Sequence, residues 1–391
     1  MGVNMGNGIV VLGANWGSVV ELFRGLGPVP LRLLTHTQTV QGARRLGWPL
    51  FGDGDPREDV PGQWVARYVF LPGWCSFLSR PSTRRLARLV ARDSGRLGMS
   101  NPVLVVVHPH AHWRAVAERL AVSQIVYLCV DDYREMWPSR AKVVEKEEDA
   151  IVGRAALVLC TSRFMVDELG RRNPGCRDRI VHLPNGTRQD YLVPNPLTTP
   201  GPLPPDLGMV SRPVLGYLGS IEGRIDWPLV ERLAVAFPDA SLLFIGPAPG
   251  RGGEDSRRLA GLRKWANFHY VGPRPQEKIM DYIKAFDVCL VPEPMRPLSI
   301  AGCPQKLWNY LASSRPIVST AIPEQSAWQP MVKIGSTKHE FLEHVKVLLT
   351  TKCDDGLAAK RLDIARDHTW PVLATRMVQL LVTRGVLECG R

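Results

Sequence analysis

Short runs of β-branched and aliphatic residues, each the length of one strand, alternate along this chain with longer amphipathic segments of helical period. In the first half the runs fall at 9–12, 31–34, 68–71, 103–107, 125–130, 157–160 and 180–183; in the second half at 214–218, 241–245, 268–271, 288–291 and 317–319. Most are apolar on both faces, which suits parallel strands covered by helices on either side and excludes a half-solvated antiparallel sheet. Between 191 and 212 the periodicity vanishes and prolines crowd in, at Pro194, Pro196, Pro200, Pro202, Pro204 and Pro205. With 391 residues, more than one ordinary core accommodates, the pattern predicts an α/β protein of two Rossmann-like, doubly wound domains. The expected division is 1–190, a proline-rich linker over 191–212, a second domain over 213–365, and a final helical segment over 366–391.

Composition narrows the partners. Apolar residues make up 45% and charged residues 22%, far from the signature of disorder. Lysine and arginine outnumber aspartate and glutamate by 49 to 37, for a net charge of +12, which favours anionic partners. Aromatic residues do not interleave with these cations as a base-stacking platform requires, so no nucleic-acid partner is expected. The eight cysteines form no CxxC pair, which points away from zinc and disulfides and toward a reducing compartment. No apolar run approaches the ~20 residues that span a bilayer. Residues 1–8 lack the flank and apolar stretch of a signal peptide, and Gly6 stands where a myristoylation signal needs serine or threonine. A cytoplasmic location is expected.

The most informative segment runs from Cys303 through Pro304, Gln305, Lys306, Leu307 and Trp308 to Asn309-Tyr310-Leu311-Ala312, then Ser314-Arg315-Pro316-Ile317-Val318 and Thr320. It resembles the Pro-x-Lys-Leu-x-Glu-Tyr-Leu-Ala-x-Gly-x-Pro-Val-Val-x-Thr signature of GT-B glycosyltransferases, in particular bacterial exopolysaccharide, teichuronic-acid and xanthan glucuronosyltransferase-like enzymes. Further segments resemble the family in the same order: Gly216-Tyr217-Leu218-Gly219-Ser220-Ile221 with Arg224 and Asp226, Ile245-Gly246-Pro247, and Asn267 to Gly272. Upstream come Tyr127, Asp131-Asp132-Tyr133, Glu148, Thr161-Ser162 and Pro184-Asn185-Gly186. The resemblance covers roughly 125–320. It implies two domains facing an interdomain cleft, with the acceptor on the first and a nucleotide-diphosphate sugar, most often a UDP-sugar, on the second. It further implies hexosyl or glycuronosyl transfer to a glycan or polyprenyl-linked acceptor in surface-polysaccharide synthesis, with no cofactor or metal required.

The chemistry of the residues supports this independently. A departing nucleoside diphosphate gains negative charge, so its site needs cations and N–H donors aimed at the phosphate oxygens. Lys306 at a predicted helix start and Arg224 supply the first; Gly219, Ser220, Gly246 and Gly272 at strand ends let backbone approach closely. Lys306 alone would read as a solvated helix lysine and Gly219 as a plain turn. Leu307 and Asn309 complete the donor set by resemblance. Where the family has a glutamate to clamp the donor ribose, this chain has Asn309; Ser314 replaces a usual glycine, and Ala301 an acid found in broader relatives. These departures keep a second reading open, a non-catalytic nucleotide-sugar-binding or scaffold protein on the same fold.

For an inverting transfer a base must take the acceptor's proton, and Asp131, then Asp132, are the candidates after the strand at 125–130, with one of them expected to cap the next helix. His108, His110 and His112 follow the strand at 103–107; His108 is a further catalytic candidate, as base or as acceptor-binding residue, while Pro109 argues against the continued strand that a shared metal site would need. Arg84, Arg88, Arg92 and Arg96 recur every fourth residue beside Leu86, Leu89 and Val90, after Trp74, Phe77 and Leu78. That stripe reads either as an ordinary solvated face or as a peripheral contact with anionic lipid on the inner face of the cell membrane. Asp53-Gly54-Asp55 could be taken for a metal-binding Asp-x-Asp, but its position far ahead of the donor motif makes chance the better account. The turn Gly13-Ala14-Asn15-Trp16-Gly17 does not match a dinucleotide fingerprint.

Overall fold

The computed structural model describes residues 8–27, 32–39, 55–70, 79–110, 112–248, 250 and 252–387. Asp53, Gly54, Trp74, Phe77 and Leu78 lie outside them. The chain forms two compact units, one of residues 1–184 with 370–391, the other of residues 185–369.

The first unit carries β1 (Ile9–Leu12), β2 (Arg32–Thr39), β3 (Arg57–Val60), β4 (Gln63–Phe70), β5 (Val103–Val106), β6 (Ile125–Cys129), β7 (Leu157–Cys160) and β8 (Ile180–His182) in one sheet of order β3-β4-β2-β1-β5-β6-β7-β8. All neighbours are parallel except β3 and β4. β1, β5, β6 and β7 are buried along their whole length, as the two-sided apolar runs require. The helix Trp370–Thr383 belongs to this unit. It packs against the helix Gly17–Arg24 and sends Trp370, Leu373, Ala374, Met377 and Leu381 into the unit's core.

The second unit holds β9 (Val214–Leu218), β10 (Ser241–Ile245), β11 (Phe268–Gly272), β12 (Val288–Val291), β13 (Ile317–Thr320) and β14 (Val332–Gly335), all parallel, in the order β11-β10-β9-β12-β13-β14. Alternate residues of each strand feed separate cores: Val214, Leu218, Leu243 and Ile245 pack with Leu307 and Leu311, whereas Leu215, Tyr217, Leu242 and Phe244 pack with Leu233 and Phe341. The proline-rich stretch lies against this unit, with Tyr191, Leu207 and Val210 buried in the first of those cores.

Strand expectations agree with these elements to within a few residues at the centres of both sheets. β3 and β14 were not expected. β3 reads Arg-Glu-Asp-Val and is exposed for most of its length, and both strands stand at sheet edges, where the two-sided apolar signal is absent.

Candidate functional site

Ligands of open parallel sheets bind beyond the carboxyl ends of the strands, at the point where strand order reverses. In the second unit chain order runs outward in opposite directions from β9 and β12, so the reversal lies between the loops that follow these strands. Lys306, in the first turn of the helix Gln305–Ala312, reaches that point. Its Nζ lies 2.7 Å from Glu293 Oε1 and 3.0 Å from the Tyr217 hydroxyl, and stands 4.6 Å from the centre of the Tyr217 ring. Glu293, just past β12, is buried and also has Arg224 Nη1 4.0 Å from its second oxygen. Burial works against the ammonium of Lys306, but the carboxylate and the phenol outweigh it and hold its pKa above the usual lysine value, so it is a cation at neutral pH.

Gly219 and Gly246 shape the floor. Gly219 N donates to Ile245 O at 2.9 Å and Gly246 N to Gly272 O at 3.1 Å, which aligns the ends of β9, β10 and β11. Gly246 has φ +150°, and a Cβ there would stand 1.9 Å from the Gly219 carbonyl oxygen; one on Gly219, at φ +145°, would stand 2.8 Å from Lys306 Cε. A side chain at Gly246 would meet backbone and one at Gly219 would displace Lys306, and both positions have the positive φ that favours glycine. Ser220 is exposed, and its carbonyl accepts a 2.6 Å bond from the Tyr217 hydroxyl.

Two members of the expected donor set are placed differently. Leu307 is fully buried in the core, so only its backbone is near any ligand. Asn309 is almost buried, and its side-chain oxygen accepts a 3.0 Å bond from Thr187 Oγ1, leaving the amide N–H groups as what it can offer. Ser314 adopts φ +59°, a left-handed conformation that favours glycine, and its hydroxyl accepts the Leu197 N–H at 2.7 Å. A cavity of about 750 Å³ in this unit, lined by Pro202, Leu203, Arg274 and Tyr282 among others, includes none of these residues.

In the first unit the reversal lies between β1 and β5. Gly13 to Asn15 follow one and His108 the other; Asn15 Nδ2 is 3.5 Å from His108 Nε2. The strand stops at Val106, so the alternation of the histidines does not persist: His112 opens the helix His112–Leu120 and its Nδ1 contacts Thr83 Oγ1 at 2.6 Å. The three rings form a row, at 5.6 Å from His108 to His110 and 5.9 Å from His110 to His112. Trp137 and Tyr133, stacked on each other, pack beside His108. Burial lowers His108 and His112 to about 4. No group of three metal-ligating side chains is assembled among the described residues.

Asp131 and Asp132 follow β6, and both are buried. Asp132 caps the helix Tyr133–Met136, accepting from Arg134 N at 3.0 Å and pairing with Arg134 Nη2 at 2.8 Å. It is therefore occupied structurally. Asp131 Oδ1 accepts the Asp132 N–H at 3.0 Å. Behind them Glu148 takes the Tyr127 hydroxyl at 2.7 Å and the Arg172 guanidinium. Of the arginine stripe, Arg84 and Arg88 are exposed. Arg92 pairs with Asp93 at 2.8 Å and Arg96 with Asp55 at 2.6 Å. No helix among the described residues is long and apolar enough to cross a membrane.

Sequence reasoning missed Glu293. Its signal in the sequence is an acid two residues beyond a fully buried strand.

No family model matches the chain. Among curated proteins it is 24% identical over 276 residues to "Putative teichuronic acid biosynthesis glycosyltransferase TuaH" of Bacillus subtilis (strain 168); the match spans 66% of each chain, just under two thirds. Among solved structures it resembles Anabaena Alr3699/HepE in complex with UDP-glucose, with a TM-score of 0.70 at 12% identity over 96% of this chain and all of that one. A UDP-forming trehalose-phosphate synthase from Burkholderia xenovorans matches with 0.69 at 13% identity, over 97% of this chain and 100% of the other. The sucrose-phosphate synthase of Thermosynechococcus elongatus matches with 0.65 at 16%, over 97% and 99%. With two Rossmann-like units and near-complete superposition on these glycosyltransferases, this chain has the GT-B fold.

Proposed function

We propose that the protein is a glycosyltransferase that moves a hexosyl or glycuronosyl group from a nucleotide-diphosphate sugar to a glycan or polyprenyl-linked acceptor in surface-polysaccharide synthesis. The observation that carries the reading is the meeting of Lys306, Tyr217, Glu293 and Arg224 over two side-chain-free glycines at the strand-order reversal of the second unit. Such a site offers two cations and close backbone to a pyrophosphate. The solved complex of a same-fold protein with UDP-glucose makes a UDP-sugar the preferred donor.

In an inverting transfer, the acceptor oxygen bonds to the anomeric carbon as the bond from that carbon to the phosphate oxygen breaks. The diphosphate leaves with the electron pair, its charge met by Lys306 and Arg224, and the acceptor's proton passes to Asp131. Asp131 is preferred to Asp132 because the latter is committed to Arg134. His108, a neutral imidazole at the reversal of its own sheet, positions the acceptor. Asn309 offers its amide N–H groups to the donor ribose. Lys306 and Arg224 supply charge that a metal ion could otherwise provide, so transfer is expected to survive EDTA.

Thermal unfolding with UDP, GDP, ADP and CDP tests the donor site. A ligand at 100 times its Kd stabilises the folded state by about 2.7 kcal/mol. No shift with any of the four refutes the proposal, and binding without transfer or donor hydrolysis would assign the non-catalytic reading instead. Peripheral attachment through Arg84, Arg88, Arg92 and Arg96, of which Arg84, Arg88 and Arg96 are exposed, is expected to appear as low-salt sedimentation with acidic vesicles and to vanish with neutral ones.

A further inference from the structure

The loops after β9 and β12 are tied together: Asp226 N donates to Pro292 O at 2.7 Å, and the second loop carries Arg296, three residues past Glu293. The Arg296 guanidinium lies over the first loop. Gly223, at φ +65°, makes room for it, since a Cβ there would be 2.8 Å from Arg296 Nη2. Of the acids of these loops, Glu293 is engaged with Lys306 and Arg224, and Asp226 with Lys338, while Glu222 is exposed and makes no ion pair with Arg296. Asp255, which also reaches the first loop, accepts the Gly223 N–H and the Trp227 indole N–H. Arg296 has no ion-pair partner among the described residues, and its Nε is buried without a hydrogen-bond partner. A buried guanidinium N–H left unmade is costly, and is retained most simply where a ligand completes it.

Charge points the same way. Lys306 and Arg224 less Glu293 leave one net positive charge, against the two negative charges of a nucleotide sugar's diphosphate. We propose that Arg296 is a third cation of the donor pocket, binding an oxyanion of the nucleotide sugar through the guanidinium fork. This rests on the donor-site reading above. The oxyanion is either a phosphate or a carboxylate on the transferred sugar.

The test titrates unsubstituted protein, R296Q and R296K with UDP, uridine, UDP-glucose and UDP-glucuronic acid, and records ligand-free thermal midpoints. R296Q is expected to bind UDP roughly 10- to 100-fold more weakly, with uridine unaffected and the ligand-free midpoint not lowered. A loss confined to UDP-glucuronic acid would identify the oxyanion as the sugar carboxylate. R296K, which keeps the charge, should recover part of the affinity; a lysine that binds no better than glutamine overturns the charge argument. Equal binding of all four ligands by R296Q and unsubstituted protein overturns the role of Arg296, as does a lowered midpoint with unchanged affinity. Failure of the unsubstituted protein to bind UDP instead sinks the donor-site reading itself.

Discussion

Under the proposed function Lys306 both neutralises Glu293 and holds a diphosphate, and the two roles are separable. Its side chain is 10% exposed and that of Glu293 2%, at 2.7 Å. Replacing Lys306 with methionine keeps the volume but leaves a carboxylate buried with only Arg224, quarter-exposed and 4.0 Å away, to balance it. Breaking a buried pair from one side costs about 3–5 kcal/mol, and the residual attraction of Arg224 places K306M near the lower end. For a unit of this size that is about 6–12 °C in the thermal midpoint. Neutralising the carboxylate as well, in K306M/E293Q, removes the stranded charge and should restore most of the stability. It should not restore nucleotide binding, because the cation remains missing. The assay is a double-mutant cycle read twice, by urea unfolding and by UDP titration. A coupling energy above about 1 kcal/mol in stability, with no recovery of UDP affinity, is the expected pattern. Full UDP affinity in the double variant would refute the assignment of Lys306 to the phosphates, and an undiminished midpoint in K306M would refute the buried pair.

Gly246→Ala forces a Cβ to 1.9 Å from the Gly219 carbonyl at φ +150°, and should destabilise the second unit by more than about 3 kcal/mol; an unchanged unfolding midpoint would show that the ends of β9 and β10 are not so closely apposed. Asp132→Ala removes a helix cap and the Arg134 pair, and should cost about 1–2 kcal/mol in urea unfolding, whereas Asp131→Asn should abolish transfer with little change in stability; the reverse pattern exchanges their roles. His108 and His112 are held down to about 4 by burial, against an ordinary value near 6.5, so the unfolded chain takes up protons that the folded unit refuses as pH falls through that window. Stability is then full above about pH 6.5 and declines toward pH 4 by up to about 3 kcal/mol for each histidine; equal denaturation midpoints at pH 7.5 and 4.5 would contradict this.

What could be read from the residues, and what could not, follows from which interactions are local. β1, β6, β7, β9, β10 and β12 were legible because burial on both faces writes an apolar run into the chain itself. β3 was not, because an exposed edge strand may carry Arg57, Glu58 and Asp59 at no cost, and nothing local distinguishes it from a loop. The site was half legible for the same reason. Lys306 and Gly219 sit in a motif, but the partner that makes Lys306 a retained cation lies 13 positions away on another strand end. Strand order brings them together, and strand order is not encoded in periodicity. Once β9 and β12 are known to be neighbours, the reversal rule alone selects the loops holding Gly219, Arg224, Glu293 and Arg296. The same rule applied to β1 and β5 selects Asn15 and His108, and leaves Asp131 one strand away, after β6. A ligand seated at the first unit's reversal therefore meets His108 first. With its imidazole held neutral, that residue suits hydrogen bonding to an acceptor hydroxyl, while a carboxylate one strand removed suits receipt of the proton.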